Sequence, residues 1–380
     1  MSLVHQTKEW VERQTGLHVR RTHGFPPLEV KRRFLTVRMD LHNKCNLRCT
    51  MCYFALEEVR NQPMIEMSPP LIDRIESQIW PRTRELWLSC ATGPMMSKRL
   101  GDVLKRARRS GVPLIQLVTN ATILSDAQIE MLIREKLDRL HVSLDGATRE
   151  TYEKIRVGAK YDHVIENVRR LQRAKKEAGA ARPALTIISV MMVDNYREWP
   201  ELVHLAADLG ADEVTLTPQA YYEEFHLDDL LWNHAREVNE ALDRARAAAS
   251  ERGLSISAPT NFDLGDSGEK PQSGDRPRAC GHCSLPWMQL VIYPDGEVTP
   301  CTPMKNNQYF GNLLSAGFDE IYFGAKLRSL RESLRTGNYQ SICADCSAGY
   351  LQDLNDPTAF LPRKLFHEKT EPPRVAEPVS

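Results

Sequence analysis

Residues 33–53 read Arg33-Phe-Leu-Thr-Val-Arg-Met-Asp40-Leu-His-Asn-Lys-Cys45-Asn-Leu-Arg-Cys49-Thr-Met-Cys52-Tyr53. The first eight residues alternate apolar and polar side chains over a strand's length, and they lead directly into three cysteines spaced C-x3-C-x2-C. Three thiolates this close in sequence can bind one centre if the backbone wraps it, and they leave one position open to an exogenous ligand. The alternatives are a zinc site completed by a distant residue such as His42, or three thiols buried by chance.

The composition is that of an ordinary globular protein of 380 residues, long enough for two or three domains. Lys plus Arg and Asp plus Glu each number 50, so the formal net charge is zero. This balance argues against a nucleic-acid binder that relies on bulk positive charge. No stretch approaches the ~20 apolar residues of a membrane span, and the chain starts with charges where a signal peptide needs an apolar run. We therefore expect a cytoplasmic protein with reduced cysteines and with neither a nucleic-acid nor a membrane partner.

Strand-like and helical segments alternate along most of the chain. The strands are predicted at 33–40, 85–90, 114–120, 139–145, 185–192 and 213–218, and the helices at 70–80, 98–110, 126–137, 161–179 and 196–209. Strict alternation of this kind predicts a parallel α/β sheet covered by helices. The pattern alone does not separate an open doubly wound sheet from a curved partial barrel.

The cysteine segment resembles the signature of the radical S-adenosylmethionine (SAM) superfamily, in which the same spacing and an aromatic residue follow the first strand of a partial barrel. The resemblance implies a TIM-like partial (β/α)6 barrel with its site at the carboxyl ends of the strands. It implies that Cys45, Cys49 and Cys52 bind three irons of a [4Fe–4S] cluster while SAM chelates the fourth. By the same resemblance, Tyr53 lies beside the adenine of SAM.

The segment after the second predicted strand departs from the family pattern. Where the family usually has Gly-Glu-Pro, whose backbone and carboxylate hold the SAM amino group, this chain has Thr92-Gly93-Pro94. The resemblance therefore implies backbone contacts from Thr92 and Gly93 but supplies no acidic residue. The third strand ends in Thr119-Asn120-Ala121, close to the family's Thr-Asn-Gly, which places Asn120 at the cofactor site.

Four further residues are assigned by resemblance to the SAM site. Ser143 ends the fourth strand and is expected to hydrogen-bond SAM, while Asp145 shapes the following loop or contacts substrate. Arg156 matches an arginine that often pairs with the SAM carboxylate as a charge-assisted fork. Ser189 on the fifth strand is expected to reach the ribose. The alternatives are a solvated helix charge for Arg156 and a buried, backbone-bonded hydroxyl for Ser189.

Cys90 stands apart from the other cysteines, at the end of the second predicted strand. If the strand alternation holds, its thiol faces the site, where it is a candidate catalytic hydrogen-atom donor or substrate contact. The alternative is a small buried apolar residue, the commonest role of a free cysteine.

The remaining cysteines lie in the last third of the chain, at Cys280, Cys283, Cys301, Cys343 and Cys346. Two strands joined at Asp295-Gly296 predict a hairpin, and 318–336 has helical spacing. Two C-x2-C pairs also occur in zinc ribbons, and the spacing alone does not distinguish a zinc site from an iron–sulfur site.

This carboxyl-terminal segment resembles the SPASM/twitch extension of radical SAM enzymes, which binds auxiliary [4Fe–4S] clusters. The chain has fewer cysteines than a full SPASM pattern, so the resemblance implies one auxiliary cluster. Its best four ligands are Cys283, Cys301, Cys343 and Cys346, with Cys280 as the spare or as a replacement for Cys283.

We expect four regions along the chain: an extension at 1–30, the radical SAM partial barrel at 31–260, the auxiliary cluster domain at 261–355 and a disordered tail at 356–380. The boundary near 261 rests on a segment rich in Gly, Pro, Ser and charge.

The resemblance implies an oxidoreductase-type enzyme that reductively cleaves SAM to a 5′-deoxyadenosyl radical and abstracts hydrogen from a C–H bond. An electron donor such as flavodoxin or ferredoxin is the implied partner. The expected substrate is a ribosomal peptide under maturation, with the auxiliary cluster assisting substrate oxidation. The alternative is the same chemistry on a small molecule such as a sugar, an aminoglycoside or another natural-product intermediate, giving dehydrogenation or epimerisation. A zinc-stabilised, non-catalytic scaffold is the remaining alternative.

Overall fold

The computed structural model describes residues 33–89, 92–220, 229–264, 283–302, 309–340 and 343. Its strands are β1 Leu35–Met39, β2 Thr83–Leu88, β3 Leu114–Thr119, β4 Arg139–Ser143, β5 Ala184–Met191, β6 Glu213–Pro218, β7 Ser255–Ser257, β8 Gln289–Ile292, β9 Glu297–Thr299 and β10 Gly311–Asn312. Within the described ranges these strands form one sheet in the order β10-β9-β8-β1-β2-β3-β4-β5-β6-β7. Strands β1 to β7 are all parallel to their neighbours. The predicted parallel α/β architecture is confirmed.

The two faces of the sheet differ in character, as β1 illustrates. Leu35, Val37 and Met39 are fully buried on the face that the helices cover, whereas Thr36 and Arg38 are only partly buried on the other face. Burial of each large apolar side chain contributes roughly 1.5–3 kcal/mol, so the helix-covered face holds the layers together. The other face is the concave interior of the partial barrel, and we call it the lumen face.

The described residues form eleven α-helices, which include all six that the periodicity predicts, two of them interrupted. Their bounds are Glu57–Arg60, Pro69–Arg74, Leu100–Arg109, Asp126–Arg134, Arg149–Ile155, Tyr161–Glu177, Trp199–Asp208, Ala235–Arg252, Leu285–Met288, Phe318–Tyr322 and Ala325–Thr336. The first predicted helix changes after Arg74 into a π turn, Ile75–Ile79, and then a 3-10 turn. The predicted helix at 318–336 breaks at Gly324, where a Cβ would lie 2.5 Å from the carbonyl oxygen of Glu320.

The helix Ala235–Arg252 and strand β7 were not predicted from the sequence. The buried face of this helix consists largely of alanines, such as Ala241 and Ala245, so its apolar periodicity is weak. Strand β7 has only three residues, and none of them is fully buried. Short, half-exposed elements of this kind acquire their structure from tertiary pairing, here with β6.

The carboxyl-terminal hairpin continues the barrel sheet. Strand β8 pairs parallel with β1, with Thr36 opposite Gln289 and Met39 opposite Ile292, and β9 returns antiparallel. The helix Ala325–Thr336 packs on the short helix that precedes β8, where Arg331 donates to the carbonyl oxygen of Pro286 at 2.8 Å. Because β8 is parallel to β1, the hairpin turn lies at the same sheet edge as the segment that follows β1.

In the part of the chain that the structure describes, no helix combines the length and the apolar character that a membrane span requires.

Candidate cofactor site

The cysteine loop, residues 45–52, follows β1 and is fixed by backbone hydrogen bonds to the end of a neighbouring helix. The N–H of Arg48 donates to the carbonyl oxygen of Val157 at 3.0 Å, and the N–H of Thr50 donates to that of Ile155 at 3.0 Å. These bonds hold the backbone of the loop independently of any metal. The loop is therefore a preorganised support for its three thiols.

The three thiols lie close enough together to influence one another's ionisation. Burial raises the pKa of Cys45, Cys49 and Cys52, to about 11 for Cys52, and neighbouring thiolates contribute to the rise at Cys49 and Cys52. The positive charge of Arg156 opposes the rise, most directly at Cys49. Metal binding requires thiolates, so a bound positive centre would supply the stabilisation that burial removes. The donor set fits an iron–sulfur cluster.

A single-ion site requires a different geometry. Among the described residues, no three His, Cys, Asp or Glu side chains converge as ligands of one metal ion. A cubane cluster does not require this convergence, because each thiolate binds a different iron. The residue proposed to complete a zinc site, His42, uses both ring nitrogens: the N–H of Lys44 donates to Nδ1 at 3.1 Å, so Nε2 carries the proton and donates to the carbonyl oxygen of Gly93 at 3.0 Å.

The segment after β2 packs directly on the cysteine loop. The N–H of Gly93 donates to the carbonyl oxygen of Lys44 at 3.0 Å. A Cβ at Gly93 would lie 3.3 Å from Sδ of Met96, 3.5 Å from Oδ1 of Asn46 and 3.8 Å from Cα of Cys45. A side chain at this position would contact the cysteine loop, and only the flexible end of Met96 would have to shift to admit its Cβ.

A carboxylate does approach this segment, but it comes from β1. Asp40, which follows the last residue of β1, is 2% exposed and accepts a hydrogen bond from Oγ1 of Thr92 at 2.8 Å. Both residues line a cavity of about 110 Å³ with Tyr53 and with Tyr293 of the hairpin turn. Asp40 was not predicted as a site residue, although its place at the carboxyl end of a parallel strand is a signal that could have found it.

Asp145 and Arg156, predicted separately, form a buried ion pair beside the cysteine loop. Nε of Arg156 donates to Oδ2 of Asp145, and Nη1 lies 3.7 Å from Sγ of Cys49. Burial would lower the pKa of Arg156, but Asp145 and Cys49 more than offset this and raise it above its ordinary value. The other oxygen of Asp145 accepts from the N–H of Val190 at 2.7 Å. A permanent cation is thus held against one thiol.

The other predicted cofactor residues are placed at different depths. Nδ2 of Asn120 donates to Oδ1 of Asn46 at 3.0 Å, next to Cys45 in the cysteine loop. Ser143 is buried at the end of β4, on the lumen face. Ser189 is fully buried on the helix-covered face, where the nearest donor is Nδ2 of Asn195 at 3.4 Å. Its role toward the ribose stays a prediction that no contact here supports.

Three of the carboxyl-terminal cysteines lie among the described residues, and Cys280, Cys346 and also Cys90 lie outside them. Cys301 follows β9, and its carbonyl oxygen accepts from Oγ1 of Thr299 at 3.0 Å. Cys283 stands just before the short helix that leads into β8. The hairpin pairing therefore puts both at the edge where β1 begins, roughly 15 Å along the strand from the cysteine loop.

Two family models match separate parts of the chain, one for each group of cysteines. Residues 39–206 match the model of the radical SAM superfamily, and residues 283–347 match that of the SPASM iron–sulfur cluster-binding domain. The chain is 23% identical over 328 residues to the tungsten-containing aldehyde ferredoxin oxidoreductase cofactor-modifying protein of Pyrococcus furiosus, covering 81% of this chain and 86% of that one. It is 26% identical over 319 residues to the PqqA peptide cyclase of Streptomyces rochei, covering 81% and 80%.

The fold is also similar to that of a solved structure. The crystal structure of Streptococcus suis SuiB bound to the precursor peptide SuiA gives a TM-score of 0.62 at 14% identity, covering 94% of this chain and 87% of SuiB. The two matched domains bind a [4Fe–4S] cluster with SAM and an auxiliary iron–sulfur cluster, respectively. By these matches the chain carries a radical SAM domain at 39–206 and a carboxyl-terminal SPASM domain at 283–347.

Proposed function

We propose that this enzyme abstracts a hydrogen atom from a C–H bond of a ribosomally made peptide and oxidises that peptide. When bound, the first cluster and SAM supply a 5′-deoxyadenosyl radical, and the auxiliary cluster supplies an electron acceptor. The observation that carries the proposal is the preorganised cysteine loop, whose three thiols leave one position for SAM and which packs against the carboxyl ends of the strands.

The choice of a peptide rests on the names of similar proteins. One relative is named a peptide cyclase, and SuiB was crystallised with a precursor peptide. A small molecule is the second candidate, because a probable GTP 3′,8-cyclase of Saccharolobus islandicus is 25% identical over 185 residues, which is 47% of this chain and 55% of that one. The peptide is favoured because its supporting matches cover 81% and 94% of this chain, compared with 47% for the cyclase.

We assign roles to the chain's own residues as follows. Cys45, Cys49 and Cys52 would hold the first cluster, and Arg156 would stabilise the negative charge that the thiolates bring to it. Asp40 would accept hydrogen bonds from the SAM amino group, the task for which the segment after β2 has no acidic side chain. Oγ1 of Thr92 donates to Oδ1 of Asp40 at 2.8 Å, which fixes the carboxylate in the wall of the cavity that Tyr53 also lines.

The remaining assignments concern the adenosine part and the supply of electrons. Tyr53 would lie beside the adenine, and Asn120 and Ser143 would provide polar contacts near the cysteine loop. We propose flavodoxin or ferredoxin as the electron donor. The auxiliary cluster would be held by Cys283, Cys301 and Cys343, with Cys346 or Cys280 completing its set.

The test is an anaerobic assay of the reconstituted enzyme with SAM and a chemical reductant. We expect about eight irons per chain and formation of 5′-deoxyadenosine that depends on the cysteine loop. With peptides encoded by neighbouring genes, we expect a mass loss of two hydrogens. A product of unchanged mass that carries solvent deuterium would instead identify an epimerase. Absence of 5′-deoxyadenosine from the iron-loaded wild type would refute the proposal.

A further inference from the structure

The lumen face of the barrel is polar across neighbouring strands. Strand pairing aligns Arg38 with Trp87, Trp87 with Gln116 and Gln116 with Arg139. His141 and Thr186 form the next row toward the carboxyl edge, and His141 contacts Trp87 and Gln116 of the first row, so together they make one polar layer of the interior. A barrel that only needed to fold would fill this layer with branched apolar residues. The polar layer therefore calls for another explanation.

Part of this layer is internally satisfied. The carboxylate of Glu85 accepts from Nε1 of Trp87 at 2.6 Å and from Nε2 of Gln116 at 2.6 Å. The nearest guanidinium nitrogen to it is that of the exposed Arg84, at 3.9 Å. Further along the layer, Arg139 pairs with Glu213. The charges of these residues are already compensated within the protein.

The positive charge of Arg38 is not paired with an acidic side chain of the described residues. Its guanidinium lies over the ring of Trp87 at 4.8 Å, and in the part of the chain that the structure describes it has neither a hydrogen bond nor an ion pair. On the lumen face Arg38 stands between Thr36 and Asp40, and Asp40 lines the cavity beside the cysteine loop. The Arg38 guanidinium therefore has five N–H donors available, and it lies next to the cavity beside the cysteine loop, where substrate and cofactor would come together.

His141 supplies a second, independent sign of a missing ligand. It is 5% exposed and stacks on Trp87 with ring centroids 4.7 Å apart. Gln116 donates its amide to Glu85, so its oxygen accepts from Nε2 of His141 at 2.9 Å, which leaves Nδ1 as a bare acceptor. That Nδ1 is buried without a partner, as is the hydroxyl of Thr186 on the adjoining strand. Buried polar atoms are normally hydrogen-bonded, so these two atoms have the capacity to bind a group that enters the lumen.

We propose that Arg38 and His141 form a substrate site in the barrel lumen that binds a carboxylate and an adjacent N–H group, which in a peptide is an acidic residue or the free carboxyl terminus. The carboxylate would accept from the Arg38 fork, and the N–H would donate to Nδ1 of His141. This inference rests on the proposed action on peptides and adds which residue of the peptide the enzyme selects. Arg38 and His141 would then determine specificity rather than perform the chemistry.

The experiment measures peptide selection directly. The reconstituted, SAM-loaded enzyme is immobilised and offered an equimolar library of capped hexapeptides that carry Glu or Gln at one position and Ala, Leu, Gly or Ser elsewhere. Bound peptides are counted by mass spectrometry. We expect Glu peptides to be enriched over Gln peptides by roughly tenfold, the value of one charge-assisted fork. A second library with Gln and a free carboxyl terminus tests the other carboxylate source.

Variants connect this selection to Arg38. In Arg38→Gln we expect the enrichment to disappear, and in Arg38→Lys we expect it to be reduced, because a point charge replaces the fork. The matched control is Arg197→Gln, since Arg197 also covers an aromatic ring, that of Tyr196 at 4.3 Å, but is exposed. Arg197→Gln should keep the enrichment.

The outcomes separate this inference from the proposed function. Retained enrichment in Arg38→Gln, or no carboxylate preference in the wild type with either library, overturns the inference. Iron content and uncoupled 5′-deoxyadenosine formation are measured on the same samples. Their absence from the wild type would refute the proposed reaction, whereas their persistence in Arg38→Gln shows that the variant is folded and loaded.

Discussion

The two edges of the parallel sheet carry cysteines that are organised in opposite ways. At the carboxyl edge, three cysteines lie within eight residues on a loop whose backbone is bonded to a neighbouring helix. At the amino edge, Cys283 and Cys301 flank a hairpin, and Cys343 follows the last described helix. The cysteines of the first site are close in sequence, whereas those of the second come together only when the hairpin pairs with β1. The difference teaches that the first site can form without the second.

The largest effect should come from exchanging one cysteine at each edge. In Cys49→Ser we expect 5′-deoxyadenosine formation to fall to background, because the cluster that binds SAM loses a ligand. In Cys301→Ser we expect it to persist, while the peptide product is lost. Each variant should lose about four of about eight irons. The measurements are an iron assay and chromatography of the nucleoside.

The control for this pair is Met51→Leu, a volume-conserving change within the cysteine loop that should leave both measurements at wild-type values. If Cys301→Ser also abolished 5′-deoxyadenosine formation, the two edges would be interdependent and the comparison would break down.

A second test concerns the charge held beside the cysteine loop. Asp145 and Arg156 are 0% and 11% exposed, so Asp145→Asn leaves a buried cation without its partner. We expect the free energy of unfolding of the cluster-free protein to fall by about 3–5 kcal/mol in a urea titration. The exposed pair Arg149 and Asp162 provides the control, and Asp162→Asn should cost less than about 1 kcal/mol. Equal losses of unfolding free energy in the two variants would show that the buried ion pair stabilises the protein no more than an exposed pair does.

Midway between the edges, His141 makes the lumen sensitive to pH. Burial, assisted by the charges of Arg139 and Arg38, lowers its pKa from 6.5 to about 3. Because the pKa of His141 is lower in the folded than in the unfolded protein, its contribution to stability is fully present above pH 6.5. That contribution is lost as the pH falls from 6.5 toward 3. We expect the wild type to lose about 2 kcal/mol more than His141→Gln between pH 7 and pH 5, measured by urea unfolding. Parallel losses in both proteins would mean that the imidazole is readily protonated in the folded state.

Much of the barrel and of its carboxyl edge could be predicted from the sequence, because both depend on short-range pattern. The alternation of Leu35, Val37 and Met39 with polar residues marks a strand, and parallel strands bring their carboxyl ends together. That rule is why Asn120 and Asp145, which are distant in sequence, could both be expected near the cysteine loop, and both contact cysteine-loop residues or their partner arginine.

The rest depends on pairings that no local pattern records. The docking of β8 on β1 brings Tyr293 to the cavity, and nothing in either strand's sequence specifies the other. The partnership of Trp87 with His141 likewise joins β2 to β4 across an intervening strand. Asp40 is predicted only as the end of a strand, and its bond from Thr92, a residue distant in sequence, places its carboxylate beside the segment after β2.

The smallest expected effect tests that carboxylate. Asp40→Asn keeps an oxygen that can accept from Oγ1 of Thr92, so the local structure should survive while the negative charge is lost. If Asp40 accepts from the SAM ammonium, the Kd for SAM, measured by anaerobic equilibrium dialysis, should rise roughly tenfold, as expected for one charge-assisted hydrogen bond. A SAM analogue that lacks the amino group should bind both proteins equally. An unchanged Kd for SAM would show that Asp40 does not contact the ammonium. The carboxyl edge would then bind SAM without an acidic side chain from β1.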